Sequence, residues 1–531
     1  MSESIDDGSF RGRLSLRTNT ITLVSSLFSA PFLLGLIASV ILAVWCAWKI
    51  YLMHALEYTS DLLVHVQKAR SYLYGYPLLY DNFYGPHPYH NTFTQLLFAP
   101  FTHLYGAIGL FVPTTLIYAL SIYLIISLAS RLEVERRWTL YVVSIVLILG
   151  PIGFWMFDDP VYGWHPEPLV FPLGIFFALS LVTRKRVVSI LMAMLVALTH
   201  EGGPILAWSI QTMYELIVNR SRFFSARKAY LMRLGTILIF WALLFVIGVI
   251  VQRTWDPAGA GRFDQVINLI RQDYQAVLMG LLVILGRLAL LLTACCFIGF
   301  FVGLQFKEMF ITILCVLPLV AVGIFGSLAY SADLIGNFHN IFWPSRFAFV
   351  WGAVISGLII SVSSSTSFSP QPLLGLRLIL LCVVSLPAQF YWLKEYRDYD
   401  LFERFERPFD EKSMAAKFRD DELALVECLG DSIPNRVPIL VTAVLRGAFH
   451  SHFLIGGNKD NPYRSEPQIY ICEFLVRDPY DRECQEQQLH SIEELGYRKR
   501  EVYGIRVSYT RDARKLVKAC MPGKKQGAAH N

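Results

Sequence analysis

Long apolar runs separated by short polar connections recur from residue 30 to residue 393. They lie near 30–53, 106–130, 138–156, 166–183, 187–199, 203–219, 234–251, 281–304, 309–329, 342–362 and 374–393. A hydrocarbon core about 30 Å thick takes roughly 20 apolar helical residues to cross, so the pattern predicts about 11 transmembrane helices. Two runs are short, and the pair around Thr199-His200-Glu201-Gly202-Gly203 also fits a re-entrant hairpin. Between the first two runs stands a loop, 54–105, much longer than a connection requires, and loops of that length usually carry function. After Lys394 the pattern changes to short β-type runs at 437–444, 468–476 and 503–509, with helical periodicity at 413–429 and 483–495. The expected fold class is an all-α polytopic membrane protein with a small C-terminal α/β domain. Its parts are an N-terminal tail over 1–29, a multi-pass domain over 30–393 and the added domain over 394–531.

Composition agrees with this pattern: 54% of residues are hydrophobic and 17% charged, against roughly a quarter charged in a soluble domain. An ordinary soluble enzyme is excluded. The formal net charge of +6 raises the question of a nucleic-acid partner. From Lys394 onward, however, 23 basic residues balance 23 acidic ones, so the excess lies in the apolar part and nucleic acid drops out. Lys and Arg concentrate in alternate loops, about 16 against 5, which predicts a cytoplasmic N-terminus and an outer C-terminal domain. The first apolar run lacks a small-residue cleavage site and reads as the first span. All 12 histidines fall on the outer side of this topology. The tail holds Cys428, Cys472, Cys484 and Cys520, which in an oxidising compartment form two disulfides by one of three pairings or else stay as buried thiols.

The long loop opens with a legible amphipathic helix. Leu62, Val66, Ala69 and Leu73 share one face, and Asp61, His65, Lys68 and Tyr72 the other, which predicts a helix lying flat at the lipid boundary. Asp61 sits in its first turn, where free amides and the macrodipole favour a carboxylate; it serves either as a general base or simply as a helix-terminus charge. Farther along the loop, Gly85-Pro86-His87-Pro88-Tyr89-His90 forbids regular helix and presents two imidazoles among Tyr72, Tyr74, Tyr76, Tyr80, Phe83, Tyr84 and Tyr89. Those rings form a membrane-interface belt or a sugar-stacking surface. Asp158-Asp159 with His165 and Glu167, and then His200-Glu201, set acids beside imidazoles at helix ends. A divalent metal ion has Asp61, Asp158, His165, His200 and Glu201 as candidate ligands, although no HExxH or CxxC spacing is present. Cations for a phosphate are Lys68, Arg262, Arg271 and Arg346.

Taken in order, the segments DLLVHVQKARSYLYGYPLLY, HNTFTQLLFAPF, WHPEPLVFPLGIFFALSL, LTHEGGPILAW and FHNIFWPSRF, with the tail pieces IPNRVPILVTAVLRGAFHSHF and GYRKREVYGIRVSY, resemble a known family. It is a family of bacterial membrane proteins catalogued as a domain of unknown function and placed near the integral-membrane glycosyltransferases of the GT-C class. The resemblance implies a many-helix fold with a long, acid-bearing first outer loop, set in the bacterial inner membrane with the added domain in the periplasm. It also implies transfer of a sugar from a polyprenyl-phosphate donor on the outer face. Asp61 then matches the loop acid, and His90, His165 and Glu167 match recurring outer polar positions. Where relatives carry a Lys-Glu-acid run, this chain reads His200-Glu201-Gly202. The expected function is a membrane glycosyltransferase with Asp61 as base. His65, His87, His90, Glu201 and the arginines would bind substrate, and lipids and the polyprenyl-phosphate sugar are the partners. The competing expectation is a transporter or flippase without covalent chemistry, for which inverted repeats would be characteristic; none is visible in the sequence.

Overall fold

The computed structural model describes residues 30–58, 61–81, 92–160, 162–219, 225–255, parts of 268–301, 304, 306–328, 344–364, 374–397, 399–406, 409, 418–441, 445, 448–452, 454, 468–473, 497–502 and 505–521. In chain order its membrane part contains α1 (Ala30–His54), α2 (Asp61–Arg70), α3 (Ala99–Tyr105), α4 (Ile108–Ala129), α5 (Val134–Val143), α6 (Pro151–Asp158), α7 (Val170–Val182) and α8 (Arg186–Thr199). There follow α9 (Gly203–Val218), α10 (Arg227–Trp255), α11 (Phe306–Leu328), α12 (Pro344–Ser364), α13 (Leu374–Arg397) and α14 (Leu401–Glu406).

Among the described residues, 5 helices are long and apolar enough to cross a membrane: α1, α4, α10, α12 and α13. The α5–α6 pair, bent by 47°, brings the number to 6. The expectation of about 11 spans is therefore corrected. For three of the runs the physical reason is length, while the run 281–304 lies largely outside the described residues. Helices α7, α8 and α9 have 13, 14 and 16 residues, or about 20–24 Å at 1.5 Å per residue, short of a 30 Å core. The apolar run of α7 packs inside the bundle, against α8, α9 and α12, whereas α8 buries only Ala193, Val196 and Thr199 and turns Val187, Ile190, Leu191 and Met194 outward. The span-forming window of α12 is 89% buried, whereas that of α10 is 11% buried and turns its apolar residues outward. Such outward apolar faces are those of a membrane-embedded protein.

The bend between α5 and α6 has identifiable causes. A π-turn over Ser144–Ile148 breaks the regular ladder, and Gly150-Pro151 restarts it, with proline unable to donate. Gln389 of α13 fills the break. Its Nε2 donates to the Val146 carbonyl at 3.0 Å, and its Oε1 accepts from the Ile152 amide at 3.2 Å. The freed backbone groups are thus satisfied inside the bundle.

Beyond α14 come α15 (Asp420–Ser432), the strands β1 (Ile439–Val441), β2 (Ile469–Glu473), β3 (Arg498–Val502) and β4 (Ile505–Tyr509), and the short helix α16 (Arg514–Lys518). The sheet order is β1-β2-β4-β3, with β1 parallel to β2 and the other pairs antiparallel. The three β-type runs each contain a strand. The additional strand, β3, is the charged run RKREV, which carries no apolar alternation. The helical stretch expected at 483–495 lies outside the described residues. Cys428 and Cys520 form a disulfide across 92 residues, joining α15 to the turn after α16. Cys472 is also disulfide-bonded.

The loop helix α2 does not lie at the lipid boundary, and that expectation is corrected. Leu62 to Arg70 are all buried. The helix has three occupied faces at i, i+4, i+7 spacing. Leu62, Val66 and Ala69 join the membrane-bundle core, and Leu63 joins the core of the C-terminal domain. On the face of Leu63, Gln67 Nε2 donates to the Leu454 carbonyl at 2.9 Å, and Arg70 Nη2 to the His452 carbonyl at 2.8 Å. The remaining face carries Asp61, His65 and Lys68.

Candidate functional site

Two polar clusters meet where α6 ends, one on Asp158 and one on its neighbour Asp159. Asp158 is 1% exposed. Its carboxylate accepts from Tyr58 Oη at 2.7 Å, Tyr399 Oη at 3.0 Å and Arg404 Nε at 3.0 Å. Lys49 of α1 donates to the Phe157 carbonyl and, at 3.1 Å, to that of Asp158. These donors come from α1, the long loop, the α13–α14 link and α14, so the cluster ties the start and end of the membrane part to the bent helix. Burial raises the Tyr58 and Tyr399 hydroxyl pKa, and the adjacent Asp158 charge adds to it, so both stay protonated as donors. Every carboxylate position is occupied by a fixed donor, which makes this a closed lock.

Asp159 faces the other way. It is the left-handed residue that ends α6, with φ 48, a conformation aspartate tolerates better than most residues. Its carbonyl accepts from the Gly163 amide at 2.7 Å, and its Oδ2 lies 2.6 Å from His165 Nδ1. Gly163 sits at φ +78 with the Tyr58 ring 2.6 Å from where a Cβ would stand, so only glycine lets this turn close. The His165 ring packs on Tyr162 and on His65, with centroids 4.6 and 4.7 Å apart. Burial disfavours the imidazolium, but the charges of Asp159, Glu167 and Asp61 outweigh it and raise the His165 pKa to about 9. At neutral pH His165 is a held cation.

The strip continues on both sides. His65 Nδ1 lies 3.2 Å from Gln95 Oε1, which can only accept, so His65 carries a proton at Nδ1. His200 Nδ1 accepts from the Gly202 amide at 3.0 Å, which leaves its proton on Nε2. That nitrogen faces Glu201 at 3.4 Å and Glu167 at 3.9 Å. Glu167 therefore stands between the two imidazoles. Asp61 is the half-exposed end of the otherwise buried α2. The assembled groups are an accessible carboxylate, a held imidazolium and two further imidazoles, which together can take a proton from a hydroxyl and stabilise a developing anion.

The structure brings together Asp61, His65, His165, Glu167, His200 and Glu201. It places Lys68 elsewhere, buried against Asp81 at 3.6 Å. Arg271 is exposed on its helical segment, and Arg346 is half-buried in the first turn of α12. His87, His90 and Arg262 lie outside the described residues, as do Phe83, Tyr84 and Tyr89. Tyr80 is fully buried and stacks on Tyr76 at 4.6 Å, so this part of the aromatic set is core and not belt. The metal candidates do not fit a metal ion. Among the described residues no group of three or more His, Cys, Asp or Glu side chains is arranged as ligands. Asp158 in particular is enclosed by Arg404 and two tyrosines.

The sequence pattern set Asp158-Asp159 beside His165, but Gln95 and the donors of the Asp158 lock carried no such signal. Arg404 is 246 residues from Asp158 and no local pattern links them. Lys49 did carry a signal, as a cation inside an apolar span. No known protein family and no curated protein matches the chain.

Proposed function

We propose that the chain is a membrane glycosyltransferase of the GT-C kind that uses a polyprenyl-phosphate-linked sugar at the outer, periplasmic face of a bacterial inner membrane. One observation carries this reading: half-exposed Asp61 is set within charge range of the His165 imidazolium, with His65 between the helix and that ring. Asp61 takes the proton of an acceptor hydroxyl, the acceptor oxygen bonds to the anomeric carbon, and the bond from that carbon to the phosphate oxygen breaks. The polyprenyl phosphate leaves with its negative charge opposite His165. Arg346 and Arg271 remain the arginines assigned to the lipid-linked phosphate, and Glu167, His200 and Glu201 bind sugar hydroxyls. The disulfide Cys428–Cys520 supports an outer position for the C-terminal domain, because such bonds persist in oxidising compartments. The Lys and Arg asymmetry supports the same orientation.

The transporter reading also has an observation in its favour, since α5–α6 is a broken helix with ionisable groups at its end. Purified protein in liposomes with a radiolabelled polyprenyl-phosphate sugar separates the two. Transfer requires cleavage of the sugar–phosphate bond and its loss in Asp61→Asn. Passage of the intact lipid-linked sugar with no cleavage would overturn the transferase reading.

A further inference from the structure

Among the described residues the C-terminal domain contributes no side chain to the Asp61–His165 strip, yet it grips the helix that presents Asp61 and His65. Gln67 and Arg70 donate to the carbonyls of Leu454 and His452, and Leu63 enters that domain's core. Arg70 Nη1 also donates to the Thr102 carbonyl at 3.2 Å, so one guanidinium joins α2, α3 and the added domain. At the same junction the 450–452 turn lies on Gly106, at φ +55. A Cβ there would stand 2.6 Å from both Nδ1 and the carbonyl of His450. No larger residue lets the two bodies meet this closely.

We propose that the C-terminal domain is a clamp that positions α2 through Arg70 and Gln67, and that acid releases it at His450 and His452. The inference rests on the reading of Asp61 and His65 as working-site residues. His452 is buried and His450 half-buried, and the Nδ1 atoms of both are shielded with no hydrogen-bond partner among the described residues. His452 Nε2 donates to the Ile433 carbonyl at 2.8 Å. The groups facing the pair are His54 at the end of α1, its ring 5.9 Å from that of His450, then Arg70 from α2, and Asp431 from α15. Tyr74, 5.4 Å from the guanidinium, faces Arg70 on its other side. Among the described residues Asp431 is the one acid of this set, against a fixed guanidinium and three imidazoles. Protonating the pair places like charges at shielded Nδ1 atoms beside the Arg70 guanidinium, which opens the junction. Burial first, then His54, His452 and Arg70, push the His450 pKa down to about 4. With an ordinary value near 6.5 when released, the closed state is fully favoured above about pH 6.5 and loses that advantage as pH falls toward 4.

Hydrogen exchange of the full-length protein in lipid nanodiscs, corrected for the intrinsic rate, tests this at pH 7.5 and 4.5. Peptides covering 61–70 and 448–454 lose protection together in acid, by about tenfold or more, while α12 stays protected. His450→Leu combined with His452→Gln holds both segments closed at pH 4.5. Arg70→Ala loosens 61–70 already at pH 7.5 and Arg70→Lys less so. Should Arg70→Ala not fold, Gln67→Leu gives the smaller loosening of the same segment. Protection of 61–70 that survives release of 448–454 would overturn the clamp, as would acid opening that persists when His450→Leu is combined with His452→Gln. The readout needs no sugar transfer, so failure of the clamp and failure of the functional reading are separate results.

Discussion

Asp158 and Asp159 are joined by one peptide bond, both are buried, and they belong to opposite kinds of polar cluster. Asp158 is met by a guanidinium and two tyrosine hydroxyls whose protonation does not change near neutral pH. Asp159 is met by an imidazole, in a strip where Asp61, Glu167 and Glu201 share three histidines. What separates them is the left-handed turn at Asp159, which reverses the chain and aims consecutive carboxylates into different neighbourhoods. Burial of a carboxylate is therefore a poor guide to its role. The protonation behaviour of the partners distinguishes a lock from a site.

The comparison breaks most severely at the lock. Asp158→Ala leaves Arg404 without its main anion and should destabilise the protein by about 3–5 kcal/mol, seen as a lower melting temperature in detergent or loss of the monodisperse species. Asp158→Leu combined with Arg404→Met should recover much of that loss, since replacing a whole buried pair by apolar groups is often close to neutral. On the strip the reverse holds. Asp61→Asn should lower the proposed transfer by about 10²–10⁴-fold, the range for a general base, while leaving the melting temperature within about 1 °C of the parent.

Next in size is a pH effect. His165 has its pKa raised to about 9, so the stability it contributes is complete below about pH 6.5, its unfolded value, and declines as pH rises through 9. Denaturation followed from pH 6 to 10 should show that decline in the parent and a flatter profile in Asp159→Asn. The smallest change is Tyr399→Phe, which removes one of the donors to Asp158. It should cost about 1–3 kcal/mol by thermal unfolding with no change in pH profile.

Much of this was legible from the apolar pattern. The runs at 30–53, 106–130, 234–251, 342–362 and 374–393 correspond to the five span-length helices, because a long uninterrupted apolar run has few other uses. The faces of α2 were also correctly divided, with Asp61 and His65 opposite Leu62, Val66 and Ala69. What covers those faces was not legible, since an amphipathic helix reads alike whether its apolar side meets lipid or protein. Gln67 and Arg70 resemble ordinary solvated residues until the domain they grip is in place. Helices α7 to α9 illustrate the same limit: apolar runs of 13 to 16 residues fit an interior helix as well as a shortened span. The pairing of Cys428 with Cys520 was one of three arithmetic possibilities that only the fold separates.

The 246 residues between Asp158 and Arg404 have a consequence for biosynthesis. At roughly 5–20 residues per second, a nascent chain that has inserted α6 waits on the order of 10–50 s before the guanidinium that completes its lock exists. Throughout that interval the carboxylate holds only Tyr58 among its side-chain donors, and α1 and α6 are not yet tied to the end of the membrane part. Assembly of the bundle is thus sealed from its C-terminal side, and the arrival of α14 is the event after which the bent helix can no longer drift.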